Sequence, residues 1–297
     1  MRFKHTEYLK SAMLGLIVGD ALGVPFEFKE RDTFKVTGMT GYVTHNQPAG
    51  TWSDDSSMTL ATLDSFIKKD KIDLNNIMNK FLAWFKDNEY CPYGECFDIG
   101  HTVATALNRY DEGTFSHSKP TRCGGRGFND NGNGSLMRIL PIAFVEHKTG
   151  DILDLSSLTH AHEISLMSCH LYIQIAENLM NGMNKEDAVS NLTGCYDECE
   201  RIPLMKDYPR ENIRSSGYVI DSFEAAVWSF LNSESYSECV IKAIELGGDT
   251  DTIAAIAGGL AGIYYGIGGE NGIPEEWIDT LARKDWIMEM LDKAICN

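Results

Sequence analysis

The stretch GGDTDTIAAIAGGLAG, residues 247–262, is the one from which the fold of this chain is best predicted. From residue 253 onward it is apolar on every face of a helix, which predicts a helix buried in the core. Asp249 and Asp251 stand at the start of that helix, where burying two like charges costs free energy unless positive groups lie nearby. We therefore expect either backbone N–H groups or a cation next to these carboxylates.

Helix capping is the simpler interpretation of this acidic start. Asp and Thr oxygens accept hydrogen bonds from the free N–H groups of a first turn, and the helix dipole favours anions there. The alternative is a hard divalent cation such as Mg²⁺ or Mn²⁺, which takes carboxylate, hydroxyl and carbonyl oxygens as ligands. The two Asp and two Thr residues of this stretch offer only such oxygens, so a second acidic cluster would favour the metal.

A second cluster of the same kind is present at residues 52–57, which read WSDDSS. Ser53, Asp54 and Asp55 stand just ahead of an apolar series that starts at Met58, so they begin another predicted core-facing helix. Two acidic, hydroxyl-rich helix starts that are far apart in sequence are most simply explained by one dinuclear metal site. Two independently capped helices remain the alternative.

Composition and charge limit the class of protein. The chain has 297 residues with 43% hydrophobic and 10% aromatic content, enough for a substantial core in one large domain or two smaller ones. A formal net charge of −17, without any Lys- or Arg-rich run, argues against a nucleic-acid partner. The first residues lack the apolar run of a signal peptide and no membrane span is expected, so we expect a cytoplasmic protein.

The eight cysteines contain no C-x-x-C pair, and most of them are expected to be reduced thiols. Cys195 and Cys199 can share a helix face as ligands of a soft metal. No matching Cys or His pair lies nearby, so we prefer a structural role for both.

Helical spacing of apolar residues recurs along the chain, while convincing period-two strands are hard to find, so we predict an all-α fold. A first helix is predicted to end near Gly23, with Asp20 on its buried side. The apolar run after residues 129–134 predicts another helix, which Pro141 would kink or end, and residues 277–295 predict one terminal helix. No repeat or linker divides the chain, so a single domain over residues 1–297 is predicted.

Two further acidic residues are candidates for the site. Glu27 stands between Phe26 and Phe28, so it is either a turn residue that points outward or a carboxylate held in a pocket. The sequence alone leaves these two interpretations open. Asp98 precedes the predicted helix through Val103, where it can be a first-turn or N-cap acid.

A Gly-rich loop, two histidines and a tyrosine complete the candidates. Residues 129–138, NDNGNGSLMR, form a loop whose backbone N–H groups can cradle a phosphate, although its glycine pattern is neither a Walker nor a Rossmann motif. His160 and His162 can be ligands or acid–base groups, with a hydrogen-bonded structural role as the commoner case. Tyr218 can present its ring to a base or fill the core, and the core is the safer prediction.

Together these motifs resemble the ADP-ribosylglycohydrolase family, whose bacterial members include the dinitrogenase-reductase-activating glycohydrolases. The resemblance covers most of the chain. It rests on residues 19–23 (GDALG) with Glu27, 52–56 (WSDDS), 97–100 (FDIG), 132–138 (GNGSLMR), 159–160 (TH), 216–219 (SGYV) and 247–252 (GGDTDT). A single compact multi-helix domain of the ADP-ribosylglycohydrolase type is thereby implied.

The resemblance also implies roles for individual residues. Metal ligation is implied for Ser53, Asp54, Asp55, Asp249, Asp251 and Thr252, and Ser53 keeps the hydroxyl of the Thr that the family often has there. Glu27 matches a glutamate with an acid–base or water-positioning role, and Asp55 and Asp251 join it as catalytic residues. Substrate binding is implied for Asp98, Asn133, Gly134, Ser135 and Tyr218. His101 stands at a position where smaller polar residues are common in the family.

The activity so implied is metal-dependent removal of ADP-ribose from a modified acceptor, by attack of water at ribose C1″ with two divalent cations, Mg²⁺ or Mn²⁺. ADP-ribosyl-arginine on a protein is the leading expected substrate, because Asp98 can pair with a guanidinium. Serine-linked and small ADP-ribose conjugates rank behind it. The alternatives are an ADP-ribose-binding module without turnover and a two-metal phosphohydrolase that cleaves the pyrophosphate. We expect a monomer without nucleic-acid or membrane partners.

Overall fold

Helices supply the regular structure in a computed structural model that describes residues 1–115, 117–194 and 197–296. These ranges contain twelve α-helices and several short 3₁₀ helices, and isolated bridges take the place of a β-sheet. The α-helices are α1 (Thr6–Gly23), α2 (Asp54–Lys68), α3 (Leu74–Asp87), α4 (His101–Asp111), α5 (Thr149–Ser157), α6 (Glu163–Met180), α7 (Lys185–Ser190), α8 (Val219–Leu231), α9 (Tyr236–Ile244), α10 (Thr250–Tyr265), α11 (Glu275–Thr280) and α12 (Lys284–Cys296). The all-α prediction is therefore confirmed.

α1 and α10 pack against each other at the centre of the core, with almost no side chain between them. A Cβ atom on Gly15 would lie 2.3 Å from the carbonyl oxygen of Gly258, and one on Gly19 would lie 2.2 Å from that of Ala254. Positions later in α1 thus meet positions earlier in α10, so the two helices run antiparallel. The end of α1, which carries Asp20, consequently adjoins the start of α10.

Gly15→Ala is expected to destabilise the protein by about 1–3 kcal/mol or more, because the added methyl group would overlap a backbone oxygen of the facing helix. The matched control is Gly150→Ala in α5, where a Cβ atom would meet no atom of the described residues within 4 Å. That change is expected to be neutral or to stabilise by up to about 1 kcal/mol. Urea denaturation measures both, and equal stabilities of the two variants would contradict the close contact of α1 with α10.

α1 with the turn that follows it, Thr6–Phe26, is long and apolar enough by length and composition to cross a membrane. Its most apolar window is 94% buried inside the protein, as expected for the core helix of a folded domain. The buried face carries Asp20, as predicted, but the burial extends to nearly every residue after Lys10 instead of one stripe.

Two predicted helices differ from the structure. After the Gly-rich loop the chain forms turns and only a 3₁₀ helix, Leu140–Phe144, with Pro141 in its first turn, where the missing proline N–H is not needed. The predicted terminal helix over residues 277–295 is broken into α11 and α12. The break includes Arg283, which has a left-handed backbone with φ 48°.

Two smaller predictions concern single residues. Asp98 is not in the first turn of α4 and is not its N-cap, because Gly100 occupies that position. Of the cysteine pair considered above, Cys195 lies outside the described residues, and Cys199 is buried.

Candidate active site

The starts of α2 and α10 meet beside the end of α1, so the two acidic clusters of the sequence form one site. Carboxylate oxygens of Asp20, Asp55 and Asp251 lie within 4.8 Å of one another, and all three residues are fully buried. Oxygens of Glu27, Asp249 and Asp251 form a second group within the same limit. Asp251 belongs to both groups, so the carboxylates are contiguous.

Helix capping accounts for only part of these carboxylates. Asp249 is the N-cap residue of α10, yet its side chain makes no capping hydrogen bond within the described structure. In the first turn of α2, the Ser53 hydroxyl accepts from the Asp55 N–H and the Asp20 carboxylate accepts from the Ser56 N–H. In the first turn of α10, Oδ1 of Asp251 accepts from the Thr252 N–H. Among the described residues, Oδ1 of Asp55 and Oδ2 of Asp251 are buried without any hydrogen-bond partner. Buried carboxylate oxygens without donors are costly, and a cation would remove that cost.

The surrounding oxygens fit a hard divalent cation. The Ser53 hydroxyl lies 2.9 Å from an oxygen of Asp20 and 2.9 Å from Oδ2 of Asp55, so its single proton cannot serve both carboxylates. The Thr252 hydroxyl lies 3.3 Å from the same Asp55 oxygen. Carboxylate and hydroxyl oxygens are ligands for cations such as Mg²⁺ or Mn²⁺. The site can therefore hold metal, as the two acidic helix starts indicated.

Asp20 orients the start of α2. Its carboxylate accepts hydrogen bonds from the N–H groups of Ser53 at 2.9 Å and Ser56 at 3.0 Å, and from both of their hydroxyl groups. Burial raises the pKa of Asp20 to about 6, although these four donors act in the opposite direction. Because its oxygens are occupied by donors, Asp20 fixes Ser53 in place beside Asp55.

The site concentrates acidic side chains. Burial first, and then the charge of Asp55, raises the pKa of Asp54 well above its ordinary value. Burial, followed by the charge of Asp20, raises the pKa of Asp55 well above its ordinary value. Burial, followed by the charge of Glu27, does so for Asp251. No Lys or Arg occurs among the described residues that line the adjoining cavity. The site is therefore strongly attractive to cations.

A cavity of about 270 Å³ leads from the surface to the carboxylates. Several predicted site residues line it: Glu27, Asp54, Asp98, Asn133, Gly134, Asp249 and Thr252. Ser53, Asp55 and Asp251 are buried beneath this lining. Half of the implied ligands thus line the cavity, the other half are buried, and the lining includes most of the implied substrate residues.

A glycine turn brings Glu27 to the start of α10. The N–H of Phe28 donates to the Gly248 carbonyl at 2.7 Å, and the N–H of Gly248 donates to the Lys29 carbonyl at 2.9 Å. Gly248 has φ 73°, and a Cβ atom there would lie 2.1 Å from a backbone oxygen, so only glycine fits. This pairing places the residue that follows Glu27 beside the residue that precedes Asp249.

The sequence left two interpretations of Glu27 open, and the structure agrees with the one in which its carboxylate is held in a pocket. It is buried, and its carboxyl group hydrogen-bonds Nε2 of His45. A carboxylate oxygen of Asp98 lies within 4.8 Å of the same two side chains. Burial raises the pKa of Glu27 to about 7, despite the opposing bond to His45. Such a carboxyl group can exchange protons near neutral pH. His45 was not predicted, because it lies in an irregular connection without any periodic pattern.

The Gly-rich loop holds a carboxylate in place. The side-chain amide of Asn133 donates to Oδ2 of Asp249 at 2.7 Å. Its backbone N–H donates to the Gly217 carbonyl at 3.1 Å and is therefore not free for a phosphate. The Ser135 side chain is fully buried, whereas Gly134 lines the cavity. Of the predicted cradle, Asn133 and Gly134 thus border the open space, whereas Ser135 does not.

The two histidines differ in role. Burial lowers the pKa of His160, a cavity-lining residue, to about 3, so it is neutral. Arg138 donates to the Thr159 hydroxyl at 2.7 Å, and that hydroxyl lies 2.8 Å from Nδ1 of His160. Since Arg138 only donates, the Thr159 hydroxyl accepts from Arg138, and it links this buried guanidinium to the imidazole. His162 instead caps α6 by accepting from the Ile164 N–H at 3.3 Å, a structural role.

Asp98 and His101 belong to the described cavity lining, whereas Tyr218 does not. Asp98 lines the cavity from a left-handed backbone with φ 56°, and burial raises its pKa. His101 is exposed and also lines the cavity. Tyr218 is half-buried at the N-cap of α8 and pairs with Gly132 through its backbone. Its neighbour Gly217, and not Tyr218 itself, is among the described lining residues.

Comparisons with known proteins identify the family. The family model described as ADP-ribosylglycohydrolase matches residues 4–296. The chain is 32% identical over 297 residues to the ADP-ribosylarginine hydrolase Tri1 of Serratia proteamaculans, covering 96% of this chain and 78% of that protein. It is 30% identical over 289 residues to the ADP-ribosyl-[dinitrogen reductase] glycohydrolase of Rhodospirillum rubrum, covering 92% and 90% of the two chains.

A solved structure described as an ADP-ribosylglycohydrolase-related protein complex has the same fold. It matches with a TM-score of 0.80 at 27% identity, over 98% of this chain and 96% of that one. The chain therefore belongs to the ADP-ribosylglycohydrolase family and is a hydrolase that removes ADP-ribose from an acceptor. The predicted all-α fold of this type is confirmed, while the domain boundaries 1–297 stay a prediction.

Proposed function

We propose that this enzyme releases ADP-ribose from arginine side chains of proteins and that it requires Mg²⁺ or Mn²⁺. The observation that carries the proposal is the pair of unpartnered carboxylate oxygens, on Asp55 and Asp251, beneath a cavity lined by acidic residues. The names of both relatives above support an ADP-ribosylated protein as substrate, and Tri1 is named for arginine. A cavity rich in carboxylates also suits a guanidinium group.

The proposed ligands are Ser53, Asp54, Asp55, Asp249, Asp251 and Thr252. Two cations bound there would neutralise the buried charge, orient the ribose hydroxyl groups and activate water. Asp20 would keep the Ser53 hydroxyl in place, and Asn133 would keep Asp249 in place, through the hydrogen bonds described above.

The remaining residues bind, orient and move a proton. Glu27 would exchange a proton with water or the leaving group, for which its raised pKa is suited. Asp98, which lies close to Glu27 in the cavity lining, would pair with the acceptor guanidinium. Gly134 and His160 would border the diphosphate. Loss of the acceptor from C1″ passes through an oxocarbenium-like transition state, whose positive charge the surrounding carboxylates would stabilise.

Mass-spectrometric product analysis tests this proposal, with arginine- and serine-linked ADP-ribosyl peptides in Mg²⁺, Mn²⁺ or EDTA. We expect intact ADP-ribose and unmodified arginine peptide, released only when metal is present. Release from the serine peptide alone would overturn the arginine assignment. AMP with ribose phosphate would mean pyrophosphate cleavage, and ADP-ribose binding without release would mean a binding module.

We also propose that the protein is a cytoplasmic monomer without a nucleic-acid or membrane partner. A net charge of −17 opposes self-association and binding to phosphate backbones. The one apolar helix of spanning length in the described residues is buried in the core. Light scattering at neutral pH should give the chain mass of 33.1 kDa, and twice that mass would contradict the monomer.

A further inference from the structure

His45 lies between the two segments that supply the cavity carboxylates Glu27 and Asp98. Its Nε2 hydrogen-bonds Oε2 of Glu27, and ligand atoms of the three residues lie within 4.8 Å of one another. The centre of the imidazole lies 6.1 Å from the ring centre of Phe28 and 5.3 Å from that of Phe97. These rings neighbour Glu27 and Asp98 in sequence, so the imidazole contacts both segments at once.

The backbone around His45 is tied to the segment that carries Glu27. The Thr44 N–H donates to the Pro25 carbonyl at 3.2 Å, and the Thr44 hydroxyl donates to the Glu27 carbonyl at 3.0 Å. The turn that carries His45 also closes on itself through a backbone hydrogen bond of 2.7 Å between residues 42 and 47. His45 therefore projects from a fixed turn and not from an untethered loop.

The described lining of the cavity includes Glu27 and Asp98 but not His45. His45 thus contacts Glu27 without being among the described lining residues of the cavity. The terminal torsion of a glutamate is broad, so a carboxyl group without a fixed partner can rotate. A hydrogen bond to one oxygen of Glu27 sets the direction of the other.

We propose that His45 is a positioning residue, which holds the Glu27 carboxyl group in the orientation needed for proton transfer without contacting ADP-ribose. This inference rests on the proposed role of Glu27 in hydrolysis. It assigns a function to a residue in the irregular connection between α1 and α2, outside the motifs on which the family resemblance rests.

The test measures kcat and KM on an arginine-linked ADP-ribosyl peptide, at one fixed pH and saturating Mn²⁺. His45→Ala is expected to lower kcat about 10- to 100-fold, the effect of misplacing a catalytic group by about 1 Å, with KM close to wild type. His45→Gln keeps an N–H donor and should recover most of the loss. His45→Phe keeps a ring between Phe28 and Phe97 but no donor, and should stay as slow as His45→Ala.

His117→Ala is the matched control, because this imidazole also packs on an aromatic ring, 4.8 Å from Tyr110, and hydrogen-bonds a backbone oxygen. Its hydrogen bond goes to the Tyr110 carbonyl and not to a cavity carboxylate, so kcat should not change. Binding of ADP-ribose, measured by calorimetry, should be the same in His45→Ala and wild type. On a Glu27→Gln background, His45→Ala should cause no further loss, since both changes act through one group.

Full activity of His45→Ala, or recovery by Phe and not by Gln, would overturn the positioning role. A loss confined to KM, or weaker ADP-ribose binding, would make His45 a substrate contact instead. An inactive wild type on this peptide would refute the proposed function, and the inference with it. An active wild type with an unaffected His45→Ala variant would refute the inference alone.

Discussion

Asp251→Asn is expected to abolish measurable turnover and, at the same time, to make the metal-free protein more stable. Asp251 is fully buried, belongs to both groups of converging carboxylates and has a side-chain oxygen without a partner in the described structure. An amide of the same shape removes one buried like charge and its desolvation cost. It also removes a proposed ligand, so kcat should fall by at least about 10³-fold, since bound cations contribute several kcal/mol.

Thermal unfolding in EDTA and in Mn²⁺ measures the stability part of this prediction. Wild-type Tm should rise with Mn²⁺, because a ligand that binds only the folded state stabilises it, and the Tm of Asp251→Asn should not. In EDTA the variant should melt above wild type, by about 2–4 °C for each kcal/mol gained.

Asp64→Asn is the control for burying an amide. Asp64 is a buried carboxylate whose oxygen is bonded by Lys80 and by Tyr90 at 2.8 Å, so it has the partners that Asp251 lacks. Its replacement should lower Tm and leave the response to Mn²⁺ intact. If Asp251→Asn behaved like Asp64→Asn in both respects, the carboxylates would not form a metal site.

Glu27→Gln is expected to lower kcat about 10²- to 10⁴-fold, the usual contribution of a general acid or base, while Mn²⁺ still raises Tm. The amide keeps the shape and a hydrogen-bonding partner for His45 but cannot move a proton. Steady-state kinetics on the arginine-linked peptide and thermal unfolding with Mn²⁺ measure the two parts.

Glu30→Gln is the matched control, because Glu30 is exposed on the same segment, outside the described cavity lining. Its kcat should equal that of wild type. Wild-type turnover in Glu27→Gln would exclude a proton-transfer role. Loss of the Mn²⁺ response would instead make Glu27 a metal ligand, as its proximity to Asp249 and Asp251 allows.

The ligand residues could be predicted because acidic and hydroxyl side chains at the start of an apolar helix are a local pattern. That the two helix starts meet depends on how α1 packs against α10. The sequence carries a signal for that contact which we did not use: small residues recur every fourth position in both helices. They are Ser11, Gly15, Gly19 and Gly23 in α1, and Ala254, Gly258 and Gly262 in α10.

Other features could not be predicted because they depend on contacts between distant loops. His45 lies in a connection without periodicity, and Asn133 has its role only because Asp249 approaches it. The break between α11 and α12 has a similar cause. No Gly or Pro marks it, but Arg283 donates to the Cys91 carbonyl at 2.7 Å and stacks 3.9 Å from the Trp286 ring centre. Tertiary contacts thus override a continuous helical pattern.

Anomalous diffraction from crystals soaked in Mn²⁺ tests the central claim most directly, because it locates the cation itself. We expect two anomalous peaks among the carboxylates of Asp54, Asp55, Asp249 and Asp251. In Asp251→Asn crystals we expect one peak or none. A single peak in the wild type would contradict the dinuclear site. No peak at these residues, in crystals of protein that hydrolyses the arginine-linked peptide, would contradict metal dependence altogether.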